Sequence, residues 1–364
     1  MTDPSRTFLY VGTYTVSLPH VQATAQGIYA FERAADGLMQ AIDWYPSLPN
    51  PTFLDVHSEH NLLFACSEVD DMEEFGGGGV SAHTFDPETG ALTMVDRHAS
   101  GGEWPCHVTL DEARSRISLA NYKSGSLQTL PYGDDGRFVE GAFNVQHEGS
   151  SVDQERQEGP HAHSTTLDPS GTFLIACDLG MDRARVYELD GADGPLTHRS
   201  DLVVRPGSGP RHFDFHPNGR WAYVLNELSA TIDVCNWDGD AGTLTSIQTI
   251  NTLPDDWDGH VSTADIHVHP SGKWAYNSNR GHDSITIFAV DADDGTLTLL
   301  GHESTRGKTP RNFALSPEGD RLYAANQDSD TIVVFALDQE TGLLSATGEV
   351  IDAPTPVCLK FVLR

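Results

Sequence analysis

The hydrophobic pattern is that of short strands punctuated by tight turns. From Pro210 the chain alternates apolar and polar residues up to His216-Pro-Asn-Gly219, then runs back through Trp221-Ala-Tyr-Val-Leu-Asn226, and Pro310 to Asn326 repeats the arrangement. Asp168-Pro-Ser-Gly171, His269-Pro-Ser-Gly272 and Ser316-Pro-Glu-Gly319 share the turn, with Pro at i+1 and Gly at i+3 as a type I turn prefers. Each is read as a hairpin turn. Aligned on these turns, the first strands begin at Pro51, Pro105, Ala162, Pro210, Thr263, Pro310 and Pro356, at intervals of 54, 57, 48, 53, 47 and 46 residues.

A second marker, a polar, mostly acidic turn closing on glycine before a β-like run, recurs at Gly37, Gly90, Gly136, Gly194, Gly242, Gly295 and Gly342. A repeat of roughly fifty residues fits four strands per unit, the blade of a β-propeller. The fold class is therefore all-β: a seven-bladed propeller spanning residues 1–364 as a single domain. The two series are out of phase. The first glycine marker lacks a preceding Pro-type strand and the last Pro-type strand lacks a glycine marker. Pro356–Val362 is thus expected to supply the inner strand of the blade begun by Phe8–Gly12, pairing the chain ends and removing an exposed sheet edge. Gly76–Gly79, the acidic Asp70–Gly79 stretch around it and the polar Gly149–Gly159 stretch read as loops inside blades.

Composition changes the picture in one respect. Lys+Arg number 22 against Asp+Glu 53, a formal net charge of −31, and only 4 of the basic residues are Lys. Such a field repels polyanions, so neither nucleic acid nor an anionic membrane is an expected partner. The short-carboxylate, lysine-poor surface is that of a halophile-type protein whose self-repulsion is screened by salt. No apolar run is long enough to span a bilayer, and the Met1-Thr-Asp-Pro start lacks the features of a secretory signal, so a cytoplasmic protein is expected. Cys66, Cys106, Cys177, Cys235 and Cys358 lie far apart with no CxxC pair and are expected to be buried free thiols.

In a propeller the first strand of each unit lines the channel, so its start and the end of the second strand face one mouth. The strand-start ring reads Thr52, Cys106, His163, Arg211, Ala264, Arg311 and Val357; the strand-end ring reads Thr13, Glu68, Tyr122, Leu179, Glu227, Arg280 and Gln327. Pseudo-equivalent blades serving only structure should repeat one residue type. Instead His163, Arg211, Glu227, Arg280 and Arg311 fall on consecutive units, four to seven, and the other side of the mouth is blander. Guanidiniums in an acidic protein make a well for a small carboxylate or phosphate, and an imidazole with a carboxylate can supply acid and base. Arg311, His161, Asp265, His267 and Gln327 are candidates for holding the substrate, with Asp265 and His267 set one layer back. The plainer alternatives are ion pairs, Arg211 with Glu227 and Arg280 with Asp265, and a His163 that merely bonds backbone. His212, His216, His267 and His269 lack a closed ligand pattern, so turn and capping roles are expected and no metal. No Gly-x-Ser-x-Gly elbow is present.

Gly159-Pro-His-Ala-His-Ser164, Gly209-Pro-Arg-His212, Asn226-Glu-Leu228, Ala264-Asp-Ile-His267, Ser278-Asn-Arg280 and Pro310-Arg-Asn-Phe313 together resemble the lactonase family of seven-bladed propellers, which includes bacterial 6-phosphogluconolactonases and fungal carboxymuconate cyclases. The resemblance runs from Phe8 to the C-terminal strand. It implies cofactor-free, metal-independent chemistry at the channel mouth, with His163, Arg211, Glu227 and Arg280 as the functional positions. The expectation is hydrolysis of a sugar lactone, a small anionic substrate, with His163 or Glu227 as base. Two alternatives stay open: a lactonising isomerase of the carboxymuconate type, and an interaction propeller without activity.

Overall fold

A computed structural model describes residues 6–34, 37–189 and 194–364. The Met1-Thr-Asp-Pro start and parts of the turns before Gly37 and Gly194 lie outside the described residues. Seven antiparallel sheets of four strands each make up the fold, with two single-turn 3₁₀ helices, Glu112–Arg114 and Gln327–Ser329. The sheets are the blades of a seven-bladed propeller. Blades are numbered here in chain order, and six of them run from inner to outer strand along the chain. Blade one instead takes its inner strand from the C-terminus: Pro356–Leu363 pairs antiparallel with Thr7–Thr13, from Phe8 opposite Val362 to Gly12 opposite Cys358. The ring is closed by the two chain ends, as the phase offset predicts.

Burial follows the radial position of each strand. The second strands, such as Phe173–Asp178 and Trp221–Asn226, are buried at every residue because both faces pack against neighbouring blades. The outer strands, such as Met39–Tyr45, expose most of their residues. Blades are also tied through their turns. Asp238, Asp291 and Asp338 each accept backbone N–H bonds from the turn that follows, which is why those turns are acidic. The glycine that ends the turn then receives a tyrosine from another blade: Tyr223 donates to the Gly295 carbonyl at 3.0 Å and Tyr276 to that of Gly342 at 2.8 Å. Gly295 has φ +77° and a Cβ there would sit 2.2 Å from the Trp221 ring, so both conformation and contact demand glycine. His216 and His269 work in the same way on the Pro-containing turns, bonding the Gly272 and Gly319 carbonyls.

Three loop assignments are corrected. Gly77–Phe85 is a strand, buried through most of its length, and not a surface loop. Its glycines are there because a Cβ on Gly78 would lie 2.2 Å from the Pro105 ring. Asp70 and Asp71 belong to Leu62–Met72, a second strand prolonged beyond its neighbours, and not to a loop insert. The Gly149–Gly159 stretch is a loop, but it joins the outer strand of blade three, Phe143–Gln146, to the inner strand of blade four, Ala162–Leu167. Such a connection must cross from rim to axis, so it passes over the mouth. All five cysteines are buried and free. Among the described residues no helix is long and apolar enough to cross a membrane.

Candidate active site

Each inner strand carries one extra residue at its mouth end. Pairing passes from Pro210–Asn226 to His212–Leu225 and skips Arg211; Thr52, Cys106, His163, Arg311 and Val357 are skipped likewise. In blade six the extra residue leaves Ala264 and Asp265 together between the pairs Thr263–Asn279 and Ile266–Asn277. The strand-start ring is thus a ring of β-bulges, a device that re-aims side chains and here turns them toward the axis. Arg211 and Glu227 are accordingly not cross-strand partners. Glu227 lies just past its strand, its N–H donating to the Gly209 carbonyl at 2.7 Å.

Glu227 is nonetheless the hub of the mouth. Its Oε2 meets Arg211 Nε at 2.9 Å and Arg280 at 2.9 Å, and its Oε1 meets Arg156 at 2.7 Å. Burial alone would raise this carboxyl; the guanidiniums of Arg280, Arg211 and Arg156 outweigh it and hold Glu227 well below the usual carboxylate range. A carboxylate so engaged is a poor proton acceptor. Its work is to hold three cations in place. Two of these guanidiniums also donate to backbone, Arg280 to the Thr263 carbonyl at 2.7 Å and Arg211 to that of Ala264.

Arg311 is different. Its nearest carboxylate oxygen, on Glu68, is 3.9 Å away, its guanidinium lies 5.7 Å from the Tyr14 ring centre, and among the described residues it makes no hydrogen bond. Glu68 in turn accepts from Tyr14 Oη at 2.9 Å. Arg311 therefore presents unused donors. His163, buried, has Nδ1 3.8 Å from the Cys106 sulfur and its ring against Tyr122 and His212. Burial, then Arg211 and His212, push its pKa well below the ordinary imidazole value, so it is neutral near pH 7.

These groups line one cavity of about 360 Å³, with Glu68, Tyr122, Arg156, His163, Glu227, Arg280 and Arg311 among its walls. Arg211 lies beneath it, beside a smaller chamber that shares Glu68, Cys106, His163 and Arg311. Four guanidiniums against two carboxylates leave a net positive well in an acidic protein.

The other candidates sit elsewhere. His161 stacks on Tyr122 and bonds the Tyr122 carbonyl and Glu158, bracing the wall rather than lining it. Gln327 bonds Asp328 and borders a neighbouring groove. Asp265 does not pair with Arg280: the doubled bulge of blade six sends it one layer down, where it meets His212 at 2.7 Å and His267 at 2.9 Å. His267 opens to a separate cavity with Lys360 and Phe361 and is 39% exposed at its side chain. Among the described residues no cluster of three or more His, Cys, Asp or Glu is arranged to hold a metal ion. Arg156 was not anticipated. It is the one basic residue of the 149–159 loop, and no repeat position marks it. Nor is the far side bland, since Glu68, Tyr122, Trp104 and His20 complete the wall.

The propeller is that of a known class: residues 8–361 match the family described as lactonase, 7-bladed beta-propeller, and the chain belongs to it. Its relatives include 6-phosphogluconolactonase of Bacillus subtilis, 34% identical with 97% of each chain covered. A 6-phosphogluconolactonase of Formosa agariphila is 33% identical over 84% of this chain and 86% of its own. Among solved structures, the periplasmic gluconolactonase of Pseudomonas aeruginosa superposes with a TM-score of 0.89 at 30% identity, covering 98% of this chain and 99% of its own.

Proposed function

We propose that the protein hydrolyses a sugar lactone carrying an anionic group, 6-phosphogluconolactone being the substrate to which the names of its relatives point. The observation that carries this reading is the pairing of a neutral buried imidazole, His163, with an Arg311 whose donors are uncommitted, in one small cavity. His163 takes a proton from water as the oxygen adds to the lactone carbonyl carbon. Arg311 donates to the oxyanion that forms. The ester C–O bond then breaks, the ring oxygen receives the proton from His163, and the resulting acid ionises, releasing one proton per turnover. Arg156, 41% exposed at its side chain on the rim loop, takes the anionic end of the sugar. Glu227 is the anchor of the guanidiniums rather than the base.

Proton release, followed with spontaneous hydrolysis subtracted, tests this. Turnover of phosphorylated and unphosphorylated gluconolactones is expected, with the phosphorylated form favoured in kcat/KM; no acceleration of any lactone overturns the reading. Carboxymuconate, monitored by absorbance, is the control for lactonising isomerase chemistry and is expected to remain unchanged.

The free thiols and the −31 charge support a cytoplasmic enzyme of a salt-rich cell. Its thermal midpoint should then rise by several degrees as KCl goes from about 0.1 M to about 2 M, because screening relieves the repulsion between surface carboxylates. A flat or falling midpoint would contradict the halophilic reading.

A further inference from the structure

Beneath the cavity lies a chamber of about 10 Å³, bordered by Cys106, His163, Arg211, His212 and Arg311 among others. That volume is on the scale of a single water, and the walls offer a water both donors and acceptors. Two guanidiniums supply N–H groups and two imidazoles supply lone pairs. His212 is the member that the hydrolytic scheme leaves unused. It is buried, and its Nδ1 lies 2.7 Å from Asp265 Oδ1, an ionised carboxylate that requires the proton on Nδ1. Nε2 then carries a lone pair, and among the described residues it has no hydrogen-bond partner.

Asp265 is itself rigidly held. Its Oδ1 also accepts the Ile266 N–H at 3.0 Å, and its Oδ2 accepts from Asn312 at 2.5 Å and bonds His267 at 2.9 Å. Burial, then the nearby Arg211, against the pull of Asp265, bring His212 down to about 4, which keeps the ring neutral near pH 7.

We propose that this chamber holds the hydrolytic water and that His212, oriented by Asp265, is a second catalytic imidazole. The water directs one O–H to His163, which takes the proton, and the other to His212 Nε2, which keeps it as a hydrogen bond. Its oxygen accepts from a guanidinium with one lone pair and turns the other up toward the lactone carbonyl in the cavity above. Attack comes from the channel side, opposite the mouth through which the substrate enters. Asp265 is a positioning residue acting through His212. The inference rests on the lactone-hydrolysis reading and adds to it where the nucleophile comes from.

The test exploits a conflict between packing and chemistry. His212 has aromatic neighbours, Phe53 at 6.0 Å and His107 at 5.5 Å between ring centres. If the residue only packs, His212→Phe is the milder change and His212→Gln the worse. If it holds the water, the order of activities reverses: Gln retains an acceptor and kcat within about ten-fold of the parent, while Phe loses about 10²-fold or more in kcat with KM within about two-fold. Asp265→Ala should also lower kcat and leave KM within about two-fold. A Phe variant at least as active as the Gln variant, or an Asp265→Ala effect confined to KM, overturns the proposal. Should the variants fail to fold, a high-resolution structure of the parent enzyme decides: a water within about 3.2 Å of His212 Nε2 is expected, and its absence overturns the proposal. Failure of the parent to turn over any lactone would instead overturn the underlying reading, so the two failures are distinct.

Discussion

Glu227→Gln is expected to lower kcat/KM by about 10²- to 10³-fold, an effect comparable to losing a dedicated electrostatic stabiliser. It should also destabilise the folded protein by about 3–5 kcal/mol near neutral pH, the usual cost of leaving buried charges unpaired. The substitution is nearly isosteric, so neither loss comes from packing. Three guanidiniums converge on this carboxylate, and two of them, Arg211 and Arg280, are largely withdrawn from water, with side chains 2% and 14% exposed. A neutral amide cannot compensate them, and its N–H₂ group adds a donor among donors. The arginines must then move apart or recruit anions, and the substrate well loses its shape. The pH dependence carries the signature. Burial raises Glu227, but Arg280, Arg211 and Arg156 more than reverse it, so the folded-state pKa lies well below the ordinary value of 4.5. A depressed carboxyl contributes stability in full above its unfolded pKa and loses it as pH falls toward the folded one. The stability gap between parent and Glu227→Gln should accordingly be widest above about pH 5 and narrow on acidification. Denaturant titrations at several pH values measure it. A gap that is constant with pH, or under about 1 kcal/mol at neutrality, would remove Glu227 from its role as hub.

The legible and illegible parts of this site differ in kind. Pro210 and Pro310 mark strand starts because a proline without an N–H is tolerated at the first residue of a strand, and the turn glycines mark the hairpins, so the repeat shows wherever the backbone makes the same demand. Counting one residue on from each start then lands on the wall of the channel chamber in six of the seven blades. It does so for a reason invisible to counting: a bulge at that place, which the simple hairpin register for Arg211 and Glu227 omits. The same bulge misleads in blade six. There the extra residue leaves Ala264 and Asp265 side by side, and Asp265 drops from the rim to the layer of His212 and His267, where Arg280 cannot reach it. Arg156 illustrates a different limit. It comes from the longest of the connections between blades, residues 147–161, whose length and sequence the other connections do not repeat, and only a folded loop brings it 2.7 Å from Glu227. Gly77–Gly79 look like loop residues because their small size serves contact with Pro105 of the next blade and with Met72 and Phe75 of their own hairpin, contacts that composition does not reveal. Repetition made the fold and half of the mouth readable. The half contributed by unrepeated loops required the structure.

His163→Gln should reduce kcat by about 10²- to 10⁴-fold, the range for a group that transfers the proton in the transition state, while KM changes by less than about three-fold. The argument is by elimination within one cavity. Glu227 is saturated by cations, and Glu68 is engaged by Tyr14 and faces Arg311. Of the imidazoles that line the cavity, His20, His163 and His260, only His163 also borders the chamber beneath it, and burial keeps it neutral. Its environment also sets the pH profile. Burial, Arg211 and His212 hold its pKa well below 6.5, so the neutral base persists as pH falls, and the acid limb of kcat/KM should lie well below pH 6.5. A limb centred at the ordinary imidazole value would exclude His163 as the base. The same shift has a thermodynamic counterpart. Between the lowered folded pKa and the unfolded value of 6.5 the unfolded chain binds more protons, so this residue makes stability fall as pH drops below 6.5. Removing it should therefore flatten the dependence of unfolding free energy on pH below 6.5 by up to about 1.4 kcal/mol per pH unit. An unchanged slope would mean that His163 is not the buried neutral group on which the mechanism depends. Other buried imidazoles, His107 and His212, are lowered in the same direction and remain in the variant, so the slope should lessen without vanishing.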